Sequence, residues 1–162
     1  MHAVYPGTFD PFTNGHLDVV RRGLDLFGEL TVAVADGGRK KTLFTVGQRV
    51  KLIQECVHGL EGLKVVPFNG TVVDFLAERQ TRILLRGLRT LSDYDYEVQM
   101  ALFNRELDPR VETVFVVSSP GNAAINSSLV KEVAAMGRDV SSFVPVPVLK
   151  ALQKRLGKDM DK

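Results

Sequence analysis

The chain has 162 residues, of which 44% are hydrophobic and 25% charged, with a formal net charge of +2 at pH 7. Such a length buries about two-thirds of the unfolded surface and folds on its core alone, without disulfide or metal staples. The near-neutral balance demands neither nucleic acid nor a membrane surface. No run approaches the ~18 apolar residues of a membrane span, so a cytoplasmic protein is expected.

The first apolar, β-branched run, Ala3-Val4-Tyr5, predicts a strand buried on both faces. It leads into residues 6–16, a loop of Gly, Pro, Thr and Asn that ends in His16, before Leu17, Val20, Leu24 and Phe27 repeat at helical spacing. A helix start leaves backbone N–H groups and the positive end of a dipole for an anion, with Gly15 allowing close approach and His16 meeting it first. The same residue types also build ordinary turns, and a histidine in a first helical turn is ordinarily only solvated. The rest of the chain has to decide between the two.

Leu30-Thr-Val-Ala-Val-Ala35 predicts a second strand, followed by the loop Gly37-Gly-Arg-Lys-Lys-Thr-Leu-Phe44. Thr45 with Gln48 forms a capping-box pair that opens a helix with apolar positions Val46, Val50, Ile53 and Val57. The single cysteine, Cys56, lies in this segment; it has no partner for an internal disulfide or a metal site and reads as a packed, inert thiol in a reducing compartment. Leu63–Phe68, Ile83–Leu85 and Glu112–Val117 predict three further strands. Residues 93–107 predict a helix with apolar residues on two sides, Val98, Ala101 and Leu102 on one and Met100, Phe103 and Leu107 on the other. One sheet cannot cover both, so contacts with other copies are expected there. A turn-rich segment, 118–128, precedes a helix from Leu129 to Ala135, and the polar tail from Lys154 reads as frayed. No repeat or linker divides the chain, so a single domain over 1–162 is expected.

Alternating strands and helices predict an α/β fold: a doubly wound parallel sheet of about five strands, helices on both faces and a C-terminal helical extension. Ligands in such sheets bind outside the carboxyl ends of the strands. Loops 6–16, 36–44, 69–72 and 86–93 and the segment before the helix at 129 therefore share one edge. They gather Thr8, Thr13, His16, Arg39, Lys40, Lys41, Arg86, Arg89, Ser127 and Ser128. This local excess of cations and hydroxyls suits a polyanionic small molecule, with phosphates the obvious groups. Arg39-Lys40-Lys41 is a kind of run that is ordinarily a solvated loop. Arg86 is different, because an unpaired guanidinium at a strand end is costly to desolvate. Asp10, Asp93 and Glu97 can also face the cleft.

Other chemistries lack their motifs. Residue 40 is Lys where a P-loop requires Gly, and neither G-x-G-x-x-G nor G-x-S-x-G occurs. Phosphoryl or nucleotidyl transfer by positioning and charge stabilisation remains.

These residues resemble a known family. Thr13-Asn-Gly-His16 is similar to the T-x-G-H signature of the adenylyl- and cytidylyltransferases, and Ile125-Asn-Ser-Ser-Leu-Val-Lys131 resembles their second signature, a serine-rich turn followed by a basic residue. Tyr5–His16, Lys40-Lys41, Arg86-Gly-Leu-Arg89, Asp93–Glu97 and Ser127–Glu132 together resemble the bacterial phosphopantetheine adenylyltransferases, over roughly residues 2–156. The resemblance implies a Rossmann-like fold that transfers the adenylyl group of ATP to 4′-phosphopantetheine, giving dephospho-coenzyme A and pyrophosphate, in a magnesium-using homohexamer. It implies ATP contacts from Thr8, Phe9, His16, Gly87, Leu88, Arg89, Glu97, Asn122, Ala123, Ala124, Ile125, Asn126, Ser127 and Ser128. Acceptor contacts are implied for Thr8, Lys40, Val72, Arg86 and Asn104, and catalytic roles for His16, Lys40 and Arg86.

The physical chemistry suits these roles. The acceptor phosphate is already an anion, so it can attack the α-phosphorus of ATP in line, without a general base or a covalent intermediate. His16 and Lys40 would stabilise the group in transfer. Mg²⁺ would travel with the triphosphate and complete its shell with water. Asn126, Asn122-Ala123-Ala124 and Gly37-Gly38-Arg39 depart from the family pattern. Two alternatives stand beside this reading: another small adenylyltransferase, such as one acting on nicotinate mononucleotide, and a non-catalytic nucleotide-binding module. The second would need neither His16 nor the pair Lys40 and Arg86.

Overall fold

In the computed structural model, which describes residues 1–38, 41–122 and 125–157, the five apolar runs form one parallel sheet. Its strands are His2–Gly7 (β1), Glu29–Ala35 (β2), Leu63–Phe68 (β3), Ile83–Leu88 (β4) and Glu112–Val117 (β5), in the order β3-β2-β1-β4-β5. The helices are Asn14–Phe27 (α1), Val46–Cys56 (α2), Val72–Glu78 (α3), Leu91–Leu107 (α4), Ser127–Ala135 (α5) and Val146–Leu156 (α6), with a 3-10 turn at Pro120–Asn122. The chain winds outward from β1 to β3, then returns to lay β4 on the other side of β1. That reversal opens a crevice at the carboxyl ends of β1 and β4, the usual ligand position in such sheets.

Strand residues alternate between two cores because successive side chains point to opposite faces. Ala3, Tyr5, Val32, Val34 and Leu85 join Val19, Val20, Ile53, Val148 and Leu152 on one face. Val4, Ala33 and Leu84 join Val73, Phe75 and Leu76 on the other. Helix α6, the C-terminal extension, is seated by Val148 and Leu152, both fully buried; each such burial contributes about 2 kcal/mol. Cys56 packs against this core, and burial pushes its thiol up to about 12, which keeps it inert.

Element ends differ from the sequence expectation in ways that matter for the site. β1 runs through Gly7 and β4 through Leu88, so Arg86 and Gly87 stand in a strand and not in a loop over 86–93. The pairs Arg86↔Phe115, Gly87↔Val116 and Leu88↔Val117 extend the ladder beyond the apolar run. α5 begins at Ser127, two residues earlier than expected, because Asn126 Oδ1 accepts the N–H groups of Ser128 at 2.8 Å and Leu129 at 3.4 Å. The Thr45–Gln48 capping box forms as expected, with both reciprocal bonds present. α4 starts at Leu91, and Leu102 belongs with its outward face: Leu102 and Phe103 are each 59% exposed, whereas Asn104 is buried.

Candidate active site

The crevice between β1 and β4 holds a cavity of about 630 Å³, walled by the first loop, the end of β4 and the start of α5. A second cavity of about 350 Å³ lies under α4, among Val72, Leu84, Met100 and Asn104. Pro6, Gly7, Thr8, Arg86 and Glu97 line both, so the two spaces adjoin.

The threonine and histidine of the T-x-G-H motif form a capping box at the start of α1. Thr13 Oγ1 accepts the His16 N–H at 3.3 Å, and His16 Nδ1 accepts the Thr13 N–H at 3.0 Å. A backbone N–H can only donate, so Nδ1 carries no proton and Nε2 does. The ring packs against Phe12 at 5.6 Å and meets the Phe9 ring edge-on at 5.0 Å. Burial, with the charges of Arg89 and Arg86, pushes the His16 pKa down to about 3. His16 is therefore a neutral N–H donor on the cavity wall. The helix start is less open than the sequence suggests: the Asn14 N–H goes to Phe143 O and the Leu17 N–H to Thr13 O. Among the described residues, the Gly15 amide is the one left without a partner in that turn.

The first loop is held by close packing. The Phe9 ring folds back over Gly7, where an added Cβ would meet Phe9 Cζ at 2.8 Å. Phe9 itself sits at φ 51°, a conformation that costs a non-glycine residue about 1 kcal/mol or more, and its ring is only 4% exposed.

Arg86 is paired within the chain. Its Nε donates to Glu97 Oε2 at 2.8 Å, Nη2 to Glu97 Oε1 at 2.5 Å and Nη1 to the Pro6 carbonyl at 2.8 Å. Burial opposes its charge, but hydrogen bonds and attraction from Glu97 outweigh that and hold its pKa above the ordinary value. Of five guanidinium N–H groups, the two not used in these three bonds remain for an anion at the junction of the cavities. Arg89 repeats the design: Asp93 takes Nε at 3.1 Å and Nη2 at 3.4 Å, and Ile125 O takes Nη1 at 2.8 Å. Thus Glu97 and Asp93, spaced one turn apart on α4, orient two arginines toward the crevice.

Two further groups position the loops: Asp10, which the sequence placed at the cleft without a role, and Arg49, which the sequence reading missed. Asp10, 4% exposed, accepts the N–H groups of Leu43 at 2.8 Å and Phe44 at 3.0 Å and pairs with Lys131 Nζ at 2.7 Å. It thereby joins the first loop, the second loop and α5. Arg49, 1% exposed, donates to the carbonyls of Thr8 (2.5 Å), Ala35 (2.6 Å), Asp36 (3.0 Å) and Phe44 (3.1 Å). One signal was available: residues 46, 49, 50 and 53 fall on one helical face, so Arg49 interrupts an apolar stripe.

Of the residues singled out in the sequence, Thr8, Phe9, His16, Gly87, Arg89, Glu97, Ile125, Asn126, Ser127 and Ser128 line the first cavity. Thr8, Val72, Arg86 and Asn104 line the second. Leu88 does not line the first; its carbonyl accepts the Ser118 N–H at 2.8 Å. Ser127 is committed to the scaffold, its hydroxyl donating to Pro11 O at 2.9 Å. Lys41 and Lys131 line the first cavity as cations. Arg39, Lys40, Ala123 and Ala124 lie outside the described residues, as does the side chain of Asn122. Among the described residues no three His, Cys, Asp or Glu side chains converge on a metal position.

Residues 4–133 match the profile of the cytidylyltransferase-like family. The phosphopantetheine adenylyltransferase of Thioalkalivibrio sulfidiphilus is 47% identical over 155 residues, covering 96% of this chain and 98% of that protein. That of Thermosynechococcus vestitus is 48% identical, over 94% of this chain and 91% of its own. A crystal structure of a bifunctional NMN adenylyltransferase/ADP ribose pyrophosphatase from Francisella tularensis superposes with a TM-score of 0.74 at 12% identity. It covers 98% of this chain, which spans 50% of that longer one, and the likeness is one of fold. The chain belongs to the cytidylyltransferase-like family and, within it, to the phosphopantetheine adenylyltransferases.

Proposed function

We infer that the chain transfers the adenylyl group of ATP to 4′-phosphopantetheine, producing dephospho-coenzyme A and pyrophosphate. The relatives bear this name along nearly their whole length. The observation that carries the reading is the meeting of two cavities at Thr8 and Arg86. One is walled by a histidine donor, Arg89 and Lys131, as a triphosphate requires; the other sets the apolar residues Val72, Leu84, Met100 and Ala101 beside Asn104, as suits a long flexible arm.

In this reading the acceptor phosphate sits at the junction, against the free N–H groups of Arg86, and Lys40 is the second cation expected to hold it. One of its oxygens attacks the α-phosphorus of ATP, and the bond from that phosphorus to the bridging oxygen of the β-phosphate breaks. The electron pair leaves with pyrophosphate, so no general base is needed. Charge on the transferring group is met by the His16 Nε2–H, which is fixed before substrate arrives and needs no reorganisation. Pyrophosphate departs toward Ser128 and Lys131, at the positive end of α5.

Mg²⁺ would enter on the triphosphate and neutralise part of its charge. With no cluster of three ligating side chains among the described residues, its oxygens would come from phosphate and water. The outward apolar face of α4 would pack against further copies of the chain, toward a homohexamer, each copy a single domain over 1–162. Among the described residues no helix is long and apolar enough to cross a membrane; the reading places the work in the cytoplasm.

The test supplies the purified protein with Mg²⁺, ATP and either 4′-phosphopantetheine or nicotinate mononucleotide, and follows pyrophosphate and product mass. Dephospho-coenzyme A with the first acceptor and no dinucleotide with the second is expected. Absence of dephospho-coenzyme A would refute the assignment.

A further inference from the structure

The second cavity contains an unsatisfied group. Thr113 Oγ1 is buried and has no hydrogen-bond partner, the one such side-chain atom among the described residues. Leaving a buried hydroxyl unpaired costs about 1–3 kcal/mol, and valine would fill the same volume without that cost. Thr113 stands on β5 in register with Leu84, which turns its side chain toward α3 and α4 and into the cavity. Asn104 lines the same space, 5% exposed, and its carboxamide makes no hydrogen bond among the described residues. Val72, Leu84, Met100 and Ala101 supply apolar wall to the same cavity. Two unmet hydrogen-bonding groups beside these apolar walls, in a cavity that Thr8, Arg86, Tyr96 and Glu97 also line, describe a receptacle for a chain that carries spaced amide or hydroxyl groups behind a phosphate.

We propose that Thr113 is a specificity residue for the acceptor: its hydroxyl hydrogen-bonds a polar group of the acceptor's arm, at a position separate from the phosphate contacts. The inference rests on the acceptor assignment above. A site built to pair a polar group rejects a partner that leaves its own groups unmet far more strongly than an apolar pocket does.

The experiment compares the parent with Thr113→Val and Thr113→Ser, measuring KM for 4′-phosphopantetheine, KM for ATP and thermal midpoint. Thr113→Val is expected to raise the acceptor KM about tenfold, the loss of one hydrogen bond. It should leave the ATP KM within about twofold and the thermal midpoint unchanged or higher, since no native bond is lost. Thr113→Ser restores the acceptor KM. An acceptor KM for Thr113→Val within about twofold of the parent overturns the inference. So does a parallel rise in both KM values with a lowered midpoint, the mark of a purely structural residue. Formation of dephospho-coenzyme A by the parent keeps failure of this inference distinct from failure of the acceptor assignment.

Discussion

The backbone N–H of Thr13 donates to His16 Nδ1 at 3.0 Å, and this bond fixes His16 as a neutral imidazole with its proton on Nε2. In the proposed reaction the group that meets the transferring phosphate is therefore a dipolar donor and not a cation. His16→Ala is expected to lower kcat by about 10²-fold or more while the Kd for ATP stays nearly constant, as for a group that acts in the transition state. An effect confined to KM would contradict that role. The ring resonances of His16 should show no titration between pH 5 and 8, because its pKa is near 3.

The same shift makes a stability prediction. The unfolded histidine has a pKa of about 6.5 and the folded one about 3. Between those values the unfolded chain takes up a proton that the native ring refuses, so stability is lost as pH falls from 6.5 toward 3. His2, whose pKa is also lowered, chiefly by burial, acts in the same direction. Urea midpoints measured from pH 7.5 down to pH 5 should fall less steeply for His16→Gln than for the parent. Equal slopes would mean that His16 is not held neutral.

Arg49 ties four carbonyls from three segments to α2. Arg49→Met leaves those acceptors buried and unpaired, and a loss of about 2–4 kcal/mol is expected, with Arg49→Lys intermediate. Denaturant midpoints with an unchanged m-value measure it. A loss below about 0.5 kcal/mol, the range of ordinary surface changes, would show that the guanidinium is dispensable.

Glu97 grips Arg86 through both oxygens, and in the proposed reaction this makes it a positioning residue for the acceptor. Glu97→Gln should raise the KM for 4′-phosphopantetheine about five- to thirtyfold, corresponding to about 1–2 kcal/mol for a charge-assisted bidentate pair. The KM for ATP should move less. A larger change for ATP would instead make Glu97 a nucleotide contact, as the family resemblance implies.

On α4, Tyr96, Leu102, Phe103 and Leu107 are between 53% and 62% exposed, four large side chains left uncovered on one helix. Light scattering at micromolar concentration should give a multiple of the 17.9 kDa chain mass. Leu102→Asp combined with Phe103→Glu should reduce that mass. A monomeric parent would contradict the assigned assembly.

The fold was legible because strands buried on both faces of a parallel sheet read as continuous apolar runs, and because Thr45 and Gln48 mark a helix start without tertiary help. Where Arg86 broke such a run, the sequence suggested a loop, since only pairing with distant Phe115 shows that the strand continues. The position of His16 at a helix start was equally visible, but its state was not. A histidine is an unusual reciprocal partner in a capping box, which is ordinarily closed by Glu or Gln. The Asp10–Lys131 pair joins residues 121 apart, and Arg49 reaches carbonyls on two other loops. Local periodicity contains no trace of such long-range choices, although an arginine on an apolar stripe signals that one exists.

Direct transfer between two bound substrates is the central claim, and the stereochemical course at the α-phosphorus tests it most directly. ATP carrying a chiral α-phosphorothioate, turned over with 4′-phosphopantetheine, should give the phosphorothioate of dephospho-coenzyme A with inverted configuration. Retention would require an adenylylated enzyme intermediate and would contradict the account, as would failure to form that product at all.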